Sequence, residues 1–503
     1  MLQAWSVSDV RAAEAVAMAA LPDGALMQRA ARGLAAVARA RLRDRAGQRR
    51  VVGLVGSGGN GGDTLYALAR LARKGPTAGV TAVLVSQRGV HSGGLRAARR
   101  HGVRIIDTAT TPHVEATTAI ADADLLLDGL TGIGGRAGWA PGLAERIEEL
   151  LGAVRDDCYV LAVDLPSGAD PAGEVVASPG VWADETVTFG VPKPVHVLGT
   201  EPRCGALTVL DIGLVMTTGP VAERLDHDDV RRLWPVPGPL DDKYRRGVLG
   251  VVAGGEGYPG AAVLAVTAAV CAGAGMVRYV GPPTPTGLVR TLVPEAVSGM
   301  PGEGQRVQAW LVGPGLDPQD DSAAGREQLA QAREALDSGL PCVVDAGGLA
   351  LLDGPRAGAG ARTLLTPHAG ELARLLARLE GAEVTRDEVV ADPVGHARRA
   401  AAALHATVLL KGHTTYIVPP PASGLPVRAQ ADAPAWLGTA GSGDVLAGLA
   451  GTLLAAGLDP LEAGSLAALV HGVAGEAANP GGPVRAWDVA HALGPAVAAL
   501  LRR

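Results

Sequence analysis

Twice along this chain an apolar run of strand length empties into a glycine loop that opens a helix. The first is Val51–Gly56, followed by Gly56-Ser57-Gly58-Gly59-Asn60-Gly61-Gly62-Asp63 and a helix predicted from about Asp63 to Lys74. The second is Val248–Ala253, followed by another glycine loop and a long alanine-rich helix from about Gly260. A strand buried on both faces and tied to a helix by a tight turn is the building unit of a parallel sheet covered by helices. Further apolar runs of strand length are Val80–Ser86, Ala123–Asp128 and Tyr159–Asp164 in the first half. In the second half they are Ala309–Gly313, Cys342–Asp345, Thr363–Thr366 and Val408–Lys411. Amphipathic stretches such as Leu143–Leu151 separate some of them, Val7–Ala40 is mostly helical in pattern, and about the last sixty residues are almost all helical. The rhythm breaks over Met216–Leu240, with Thr217-Thr218-Gly219-Pro220 and then Trp234-Pro235-Val236-Pro237-Gly238-Pro239. The expectation is two α/β domains, 1–220 and 221–503, which suits a chain of 503 residues.

Composition narrows the class. Apolar residues make up 48% and aromatic residues only 3%, so the cores must be built from Ala, Val and Leu. A net charge of −6 without a basic stripe points away from nucleic acid. No apolar run reaches the roughly 20 residues of a membrane span. Arg11, Glu14 and Arg29 interrupt the region where a signal peptide would sit, so a cytoplasmic protein is expected. Cys158, Cys204, Cys271 and Cys342 form no CxxC pair and read as small buried residues in a reducing compartment. The 45 basic residues include only four lysines, Lys74, Lys193, Lys243 and Lys411. Where arginine supplies the generic surface charge, each lysine is informative.

In the first half, Gly56, Gly58 and Gly61 match G-x-G-x-x-G, the dinucleotide fingerprint that seats a pyrophosphate on a helix N-terminus. Two features resist that reading. The acidic residue expected roughly 20 positions on is missing, and Asp63 would repel a phosphate. A glycine turn capped by Asp63 is the plainer alternative. Two more loops follow strands: Asp128-Gly129-Leu130-Thr131-Gly132-Ile133-Gly134-Gly135 and Asp164-Leu165-Pro166-Ser167-Gly168. In a parallel sheet all three loops share the carboxyl edge, where ligands bind. Asn60, Asp128 and Ser167 offer oxygen without a soft or imidazole ligand, which suits a hard cation.

With these residues the first half resembles the NAD(P)H-hydrate epimerase family. Its N-N-G-G-D motif is similar to Gly59–Asp63, its D-x-P-S-G to Asp164–Gly168, and its L-M-E-x-A helix to Leu26–Ala30. Its T-V-T-F-G-x-x-K-P segment is similar to Thr186–Pro194, which holds the chain's one Phe, Phe189. The resemblance spans roughly 5–215 and implies a Rossmann-like three-layer domain. It implies a potassium ion held by Asn60, Asp128 and Ser167, and a hydrated cofactor contacting Gly59, Asn60, Gly61, Gly62 and Asp63. Gly132, Ile133, Gly134, Gly135, Arg136, Ala137, Gly138 and Asp164 would contact it too, with Asp164 as acid–base. Gly59 departs from the family, which has Asn there.

In the second half, Gly438-Thr439-Ala440-Gly441-Ser442-Gly443-Asp444 is a glycine turn feeding a helix, an anion hole for a transferring phosphoryl group. Asp444 follows it directly, in position to take a proton from an attacking hydroxyl; a simple helix cap is the alternative. No G-x-x-x-x-G-K-[ST] occurs, so this is no P-loop. The upstream blocks Lys243–Gly247, Ala253–Ala262, Pro294–Ala296, Gly313–Leu316, Leu365–Glu371 and Leu410–Gly412 resemble, in order, the NAD(P)H-hydrate dehydratases among the relatives of ribokinase. Asp345-Ala346-Gly347-Gly348-Leu349 stands where that family has D-A-D-A-L, with Gly347 replacing an Asp. The resemblance covers about 225–500 and implies a ribokinase-like fold. It places Ala262, Gly315, His368 and Asp444 on the substrate, and Lys411, Gly412, His413, Thr414, Thr415 and Gly443 on an adenine nucleotide.

The combined expectation is a bifunctional enzyme acting on NADHX and NADPHX. Epimerisation of the R and S forms would precede dehydration of the S form to NAD(P)H, with AMP and phosphate released. ADP is favoured as co-substrate, because the Ala/Gly/Arg-rich, Lys-poor composition is that of a GC-rich bacterial genome; ATP is the other nucleotide, and Mg2+ would accompany either. A homo-oligomer is expected, with no nucleic-acid or membrane partner. The competing readings are a vitamin or sugar kinase with an accessory domain, a non-catalytic binding module in the first half, and an NAD-dependent oxidoreductase.

Overall fold

The computed structural model describes residues 1–44, 49–74, 77–85, 89–135, 137–139, 142–175, 179–199, 202–302, 306–356, 358 and 362–502. The chain forms two compact units, Gln3–Ala222 and Glu223–Arg503, and Met1–Leu2 belong to the second.

The first unit is built on seven strands: β1 (Arg50–Val55), β2 (Gly79–Leu84), β3 (Arg104–Asp107), β4 (Leu125–Gly129), β5 (Tyr159–Val163), β6 (Glu185–Phe189) and β7 (Ala206–Leu210). They lie in the order β3-β2-β1-β4-β5-β6-β7, and every described pairing is parallel. Side chains alternate across a strand, so β1 feeds two cores. Val51 and Val55 pack with Leu34 and Leu65, from α2 (Ala25–Arg43) and α3 (Gly59–Lys74). Val52 and Leu54 pack on the other face with Ile120, Ile147 and Leu150. The sheet is thus a middle layer between helices. The helical start of the chain is two helices, α1 (Val7–Ala20) and α2. One expectation changes. The helix after β1 begins at Gly59, so the glycine loop is its first turn and Asp63 lies inside it, buried, instead of capping it. Ser86, at the end of the strand expected over Val80–Ser86, is outside the described residues.

The second unit carries β8 (Val248–Val252), β9 (Met276–Val280), β10 (Val297–Ser298), β11 (Ala309–Val312), β12 (Cys342–Val344), β13 (Thr363–Leu365), β14 (Thr407–Leu410), β15 (Thr415–Val418) and β16 (Val427–Gln430). They run in the order β16-β15-β14-β13-β12-β11-β8-β9-β10. Pairing is parallel from β14 to β10 and antiparallel through β14, β15 and β16. One core joins Leu249, Val251, Val343, Leu364 and Leu409 of the sheet to α4 (Pro259–Cys271), α5 (Ser442–Ala455) and α6 (Pro460–Ala478). The core residues are overwhelmingly Ala, Val and Leu. Among the described residues no disulfide joins the four cysteines. Among the described residues no helix is long and apolar enough to cross a membrane.

In each sheet the strand order reverses next to the strand that precedes the glycine loop: β1 against β4, and β8 against β11. Such switch points open a crevice at the carboxyl edge. The second crevice explains Gly347. A Cβ at this position would lie 1.9 Å from the Leu316 carbonyl oxygen, so the turn after β12 closes onto the loop after β11 only without a side chain. Gly347→Ala should cost roughly 1–3 kcal/mol by overpacking. Thermal unfolding should then show the transition of this unit lowered by several degrees, and an unchanged midpoint would contradict the close approach.

Candidate functional sites

At the first crevice, three loops meet on Thr131. The Asn60 amide, in the first turn of α3, donates to the carbonyl oxygens of Thr131 at 2.7 Å and Val163 at 2.5 Å. The Thr131 N–H donates to Ser167 Oγ at 2.9 Å. Asp128 is wholly buried and accepts from the N–H groups of Ser167 at 2.7 Å and Leu130 at 3.3 Å. Burial pushes its carboxyl up to about 6 against these hydrogen bonds. Gly132 completes the closure, since a Cβ there would fall 2.5 Å from Asn60 Oδ1.

Asp164 ends β5 with φ at 69°, a left-handed conformation that costs a non-glycine residue on the order of 1–3 kcal/mol. Its surroundings hold it there. Lys193 Nζ donates to Asp164 Oδ1 at 2.6 Å, to Thr188 Oγ1 at 2.9 Å and to the Phe189 carbonyl at 3.0 Å, so all three ammonium protons are used. Thr188 Oγ1 donates to the same carboxylate oxygen at 3.0 Å. His196 Nδ1 accepts from the Lys193 N–H at 2.9 Å, which leaves Nε2 as the protonated nitrogen that donates to the Asp164 carbonyl at 2.8 Å. Burial and Lys193 push the His196 pKa down to about 4, so the ring is neutral. Burial alone would raise the Asp164 carboxyl, but the Lys193 ammonium above all, with the Thr188 hydrogen bond, outweighs it, and the group is held below its usual range.

These groups border a cavity of about 340 Å³ whose wall includes Gly59, Asn60, Asp63, Thr131–Gly135 and Asp164. Glu14, Ser57 and Phe189 also line it. Asp63 Oδ1 is buried with no hydrogen-bond partner. Burial, then Asp164 and Glu14, raise its carboxyl well above the ordinary value, against Lys193. Gly61 and Gly62 are buried behind this wall, Gly62 beside Met27. The Gly138 N–H is tied to the Gly168 carbonyl at 2.9 Å, and Ala137 is exposed. Arg136 lies outside the described residues. At Gly59 a Cβ would meet nothing within 4 Å, so the position has room for the Asn of the family motif.

At the second crevice the loops after β8 and β11 zip together, with Gly254 N–H on the Pro314 carbonyl and Gly255 N–H on the Gly315 carbonyl, both at 2.7 Å. Gly315 lies in this zipper, and Ala262 is fully buried against Gly254. Lys411 ends β14 and donates to Asp345 Oδ1 at 2.8 Å, with Glu371 Oε2 at 3.7 Å. Thr366 Oγ1 donates to the same Asp345 oxygen at 2.8 Å. A Cβ on Gly443 would sit 3.3 Å from Lys411 Nζ, which puts the glycine turn beside this ammonium. The residues after Lys411 form the tip of the β14–β15 hairpin: Gly412 and His413 are exposed, Thr414 is buried, and Thr415 starts β15. Asp444 lies in the first turn of α5, where burial first, then Asp345 and Glu371, push its carboxyl up to about 7, with Lys411 opposing. His368 caps the next helix, Nδ1 accepting from Gly370 and Glu371 N–H at 3.1 and 3.3 Å. Its imidazole pKa is lowered by burial and Lys411, with Glu371 opposing.

Sequence reasoning gave no role to Glu14, Thr188, His196 or Glu371. The scarcity of lysine was the available signal: Lys193 and Lys411 stand at the centres of the two sites.

Residues 23–195 match the family described as YjeF-related protein N-terminus, and residues 249–487 match that described as NAD(P)H-hydrate dehydratase. The chain is 45% identical over 466 residues to the bifunctional NAD(P)H-hydrate repair enzyme of Mycobacterium tuberculosis, covering 91% of this chain and 90% of that one. It is 43% identical over 488 residues to the enzyme of the same name from Mycobacterium leprae, covering 95% and 94%. A crystal structure of the ADP/ATP-dependent NAD(P)H-hydrate dehydratase from Bacillus subtilis, co-crystallised with ATP/Mg2+, covers 55% of this chain and 98% of its own, with 24% identity and a TM-score of 0.47. By its near full-length identity to the mycobacterial proteins, and with both halves matched in order, the chain belongs to the family of bifunctional NAD(P)H-hydrate repair enzymes.

Proposed function

We propose that the unit Gln3–Ala222 interconverts R- and S-NAD(P)HX at the Asp164 cavity, and that the unit Glu223–Arg503 dehydrates the S form at the expense of ADP. The observation that carries the second half is Asp444, a carboxyl near neutrality at the head of α5, beside a glycine turn that abuts Lys411. Hydroxide leaves carbon poorly, and phosphate leaves well. Asp444 takes the proton of the ring hydroxyl as its oxygen attacks the terminal phosphorus of ADP. The bond from that phosphorus to the bridging oxygen breaks and AMP departs. The N–H groups of the turn and Lys411 hold the phosphoryl oxygens. The ring nitrogen's lone pair then expels phosphate from carbon, leaving a cationic ring that gives NAD(P)H on loss of a proton. Mg2+ enters with the nucleotide's phosphates; among the described residues no group of three or more His, Cys, Asp or Glu is arranged to hold a metal ion.

A base must be unprotonated to accept a proton, and Asp444 gains one as pH falls through about 7. Dehydration of S-NADHX should therefore lose activity below about pH 7, approaching tenfold per unit. Asp444→Asn should bind ADP normally yet turn over roughly 10²–10⁴-fold more slowly. A flat acid limb, or near-normal turnover in the folded variant, removes Asp444 from the reaction. Recovery of nicotinamide absorbance from S-NADHX with ADP, against ATP, decides the nucleotide; no recovery with either would remove the dehydratase reading.

Potassium belongs to the same proposal for the first unit. The donor set of Asn60, Asp128 and Ser167 is all oxygen, apart from the Asn60 amide nitrogen now facing two carbonyls. Amide oxygen and nitrogen exchange places with little change of shape. Asp128 is a buried carboxylate hydrogen-bonded by the Ser167 side chain and by the backbone N–H groups of Ser167 and Leu130, with no cationic side chain among its partners. A singly charged ion suits one carboxylate better than a divalent ion does. When bound it would balance charge and steady the loops. Asp128→Ala should abolish epimerisation while S-NADHX dehydration continues. Replacing potassium by tetramethylammonium should slow the wild-type epimerase, and an unaffected rate would discard the ion.

A further inference from the structure

Helix α1 lies outside both matched family segments, yet it borders the first cavity. Ser6 caps it, Oγ accepting from the Asp9 N–H at 3.1 Å. Arg11 Nη2 reaches the Ile133 carbonyl at 3.1 Å, on the loop that lines the cavity. Glu14, three residues on and so on the same helix face, lines the cavity itself with Asp63 and Asp164. One face of α1 thus clamps the loop with a guanidinium and turns a carboxyl to the site.

The described side chains lining the cavity include three carboxyls and no lysine or arginine. Lys193 directs its three protons to Asp164, Thr188 and Phe189. The Asn60 amide is committed to Thr131 and Val163. Glu14, Asp63 and Asp164 line the same space, and Asp63 Oδ1 is buried without a hydrogen-bond partner. A hydrated nicotinamide supplies what is missing: a ring hydroxyl and the two N–H bonds of its carboxamide. The epimerase reading, on which this inference rests, gives Asp164 the acid–base role, which leaves Glu14 and Asp63 for the carboxamide. We propose that Glu14 is a substrate-binding residue of the epimerase site, accepting a carboxamide N–H of the hydrated nicotinamide alongside Asp63, with α1 as a wall of the site.

The full chain serves as its own control, because S-NADHX dehydration reports the other unit. Disappearance of R-NADHX, followed chromatographically, should show Glu14→Ala raising KM roughly ten- to hundredfold with little change in kcat, the usual worth of a hydrogen bond to a charged group. Glu14→Gln keeps one acceptor oxygen and should fall between. Dehydration of S-NADHX should not change. The hydrate of the 3-acetylpyridine analogue has a methyl ketone in place of the carboxamide, so wild type and Glu14→Ala should handle its R form alike. An unchanged KM for R-NADHX in Glu14→Ala overturns the proposal. So does an equal loss on the acetyl analogue, or a loss confined to kcat in both variants. If the wild-type chain consumes R-NADHX no faster than the uncatalysed reaction, the epimerase reading itself fails, whatever Glu14 does.

Discussion

The buried ion pair between Lys193 and Asp164 holds the first site together. An isolated charge in a protein interior is expensive, and removing one member of a buried pair typically costs about 3–5 kcal/mol. Here each partner satisfies the other, and Thr188, Phe189 and His196 complete their hydrogen bonding. The pair joins the end of β5 to the segment after β6, so the strained backbone of Asp164 is fixed from two strands at once. Ser167, three residues further along the same loop, then falls where it meets Thr131 and Asp128. The closure of the loops at the β1/β4 switch point follows from this anchoring.

The second site uses the same device to an opposite electrostatic end. Lys411 pairs with Asp345, not with Asp444. Its charge is largely taken up by Asp345 and by Glu371 nearby, so Asp444 experiences burial and two negative neighbours more strongly than one cation. Asp164 is therefore held ionised in the first site, and Asp444 is poised near neutrality in the second. A group that must accept a proton and later release it near neutral pH is best placed at the second value.

The parallel sheets were legible because their buried strands are continuous Val, Leu and Ala runs, as at β1, β4, β8 and β11, and because glycine loops punctuate them. What escaped has physical reasons. β7 is partly exposed, and its pattern carries no buried run. β15 and β16 return antiparallel after Lys411, within a stretch that resembled a ligand loop more than a strand pair. The start of α3 was misjudged because glycine disfavours helix interiors. Tertiary contact overrides that preference at Gly61, where a Cβ would lie 2.1 Å from the Gly56 carbonyl oxygen, and the helix forms around it. Asp63 consequently moved from a cap to a buried cavity residue. Gly347, an eroded motif position by sequence, is a steric requirement of this backbone. Glu14 gave no signal because it sits on an ordinary amphipathic helix, and only the fold turns that helix toward Asp164.

This placement of Asp63 also decides between the two meanings of the first glycine loop. A helix N-terminus draws anions through its unpaired N–H groups and dipole, an effect worth at most a few kcal/mol. At the head of α3 the cavity already holds Asp63, Asp164 and Glu14. The Asp63 carboxyl is raised by its burial and Asp164 is paired with Lys193, and the described residues lining the cavity include no lysine or arginine to hold a pyrophosphate. A pyrophosphate is therefore a poor occupant of this pocket, in keeping with the proposal that a hydrated nicotinamide sits there. The G-x-G-x-x-G spacing serves close packing of loops at the switch point: Gly56 lies against the Leu130 carbonyl and Gly61 against that of Gly56, at approaches a Cβ would forbid. The fingerprint and the nucleotide-binding fold share this steric need, and the glycines alone do not make the loop a phosphate site.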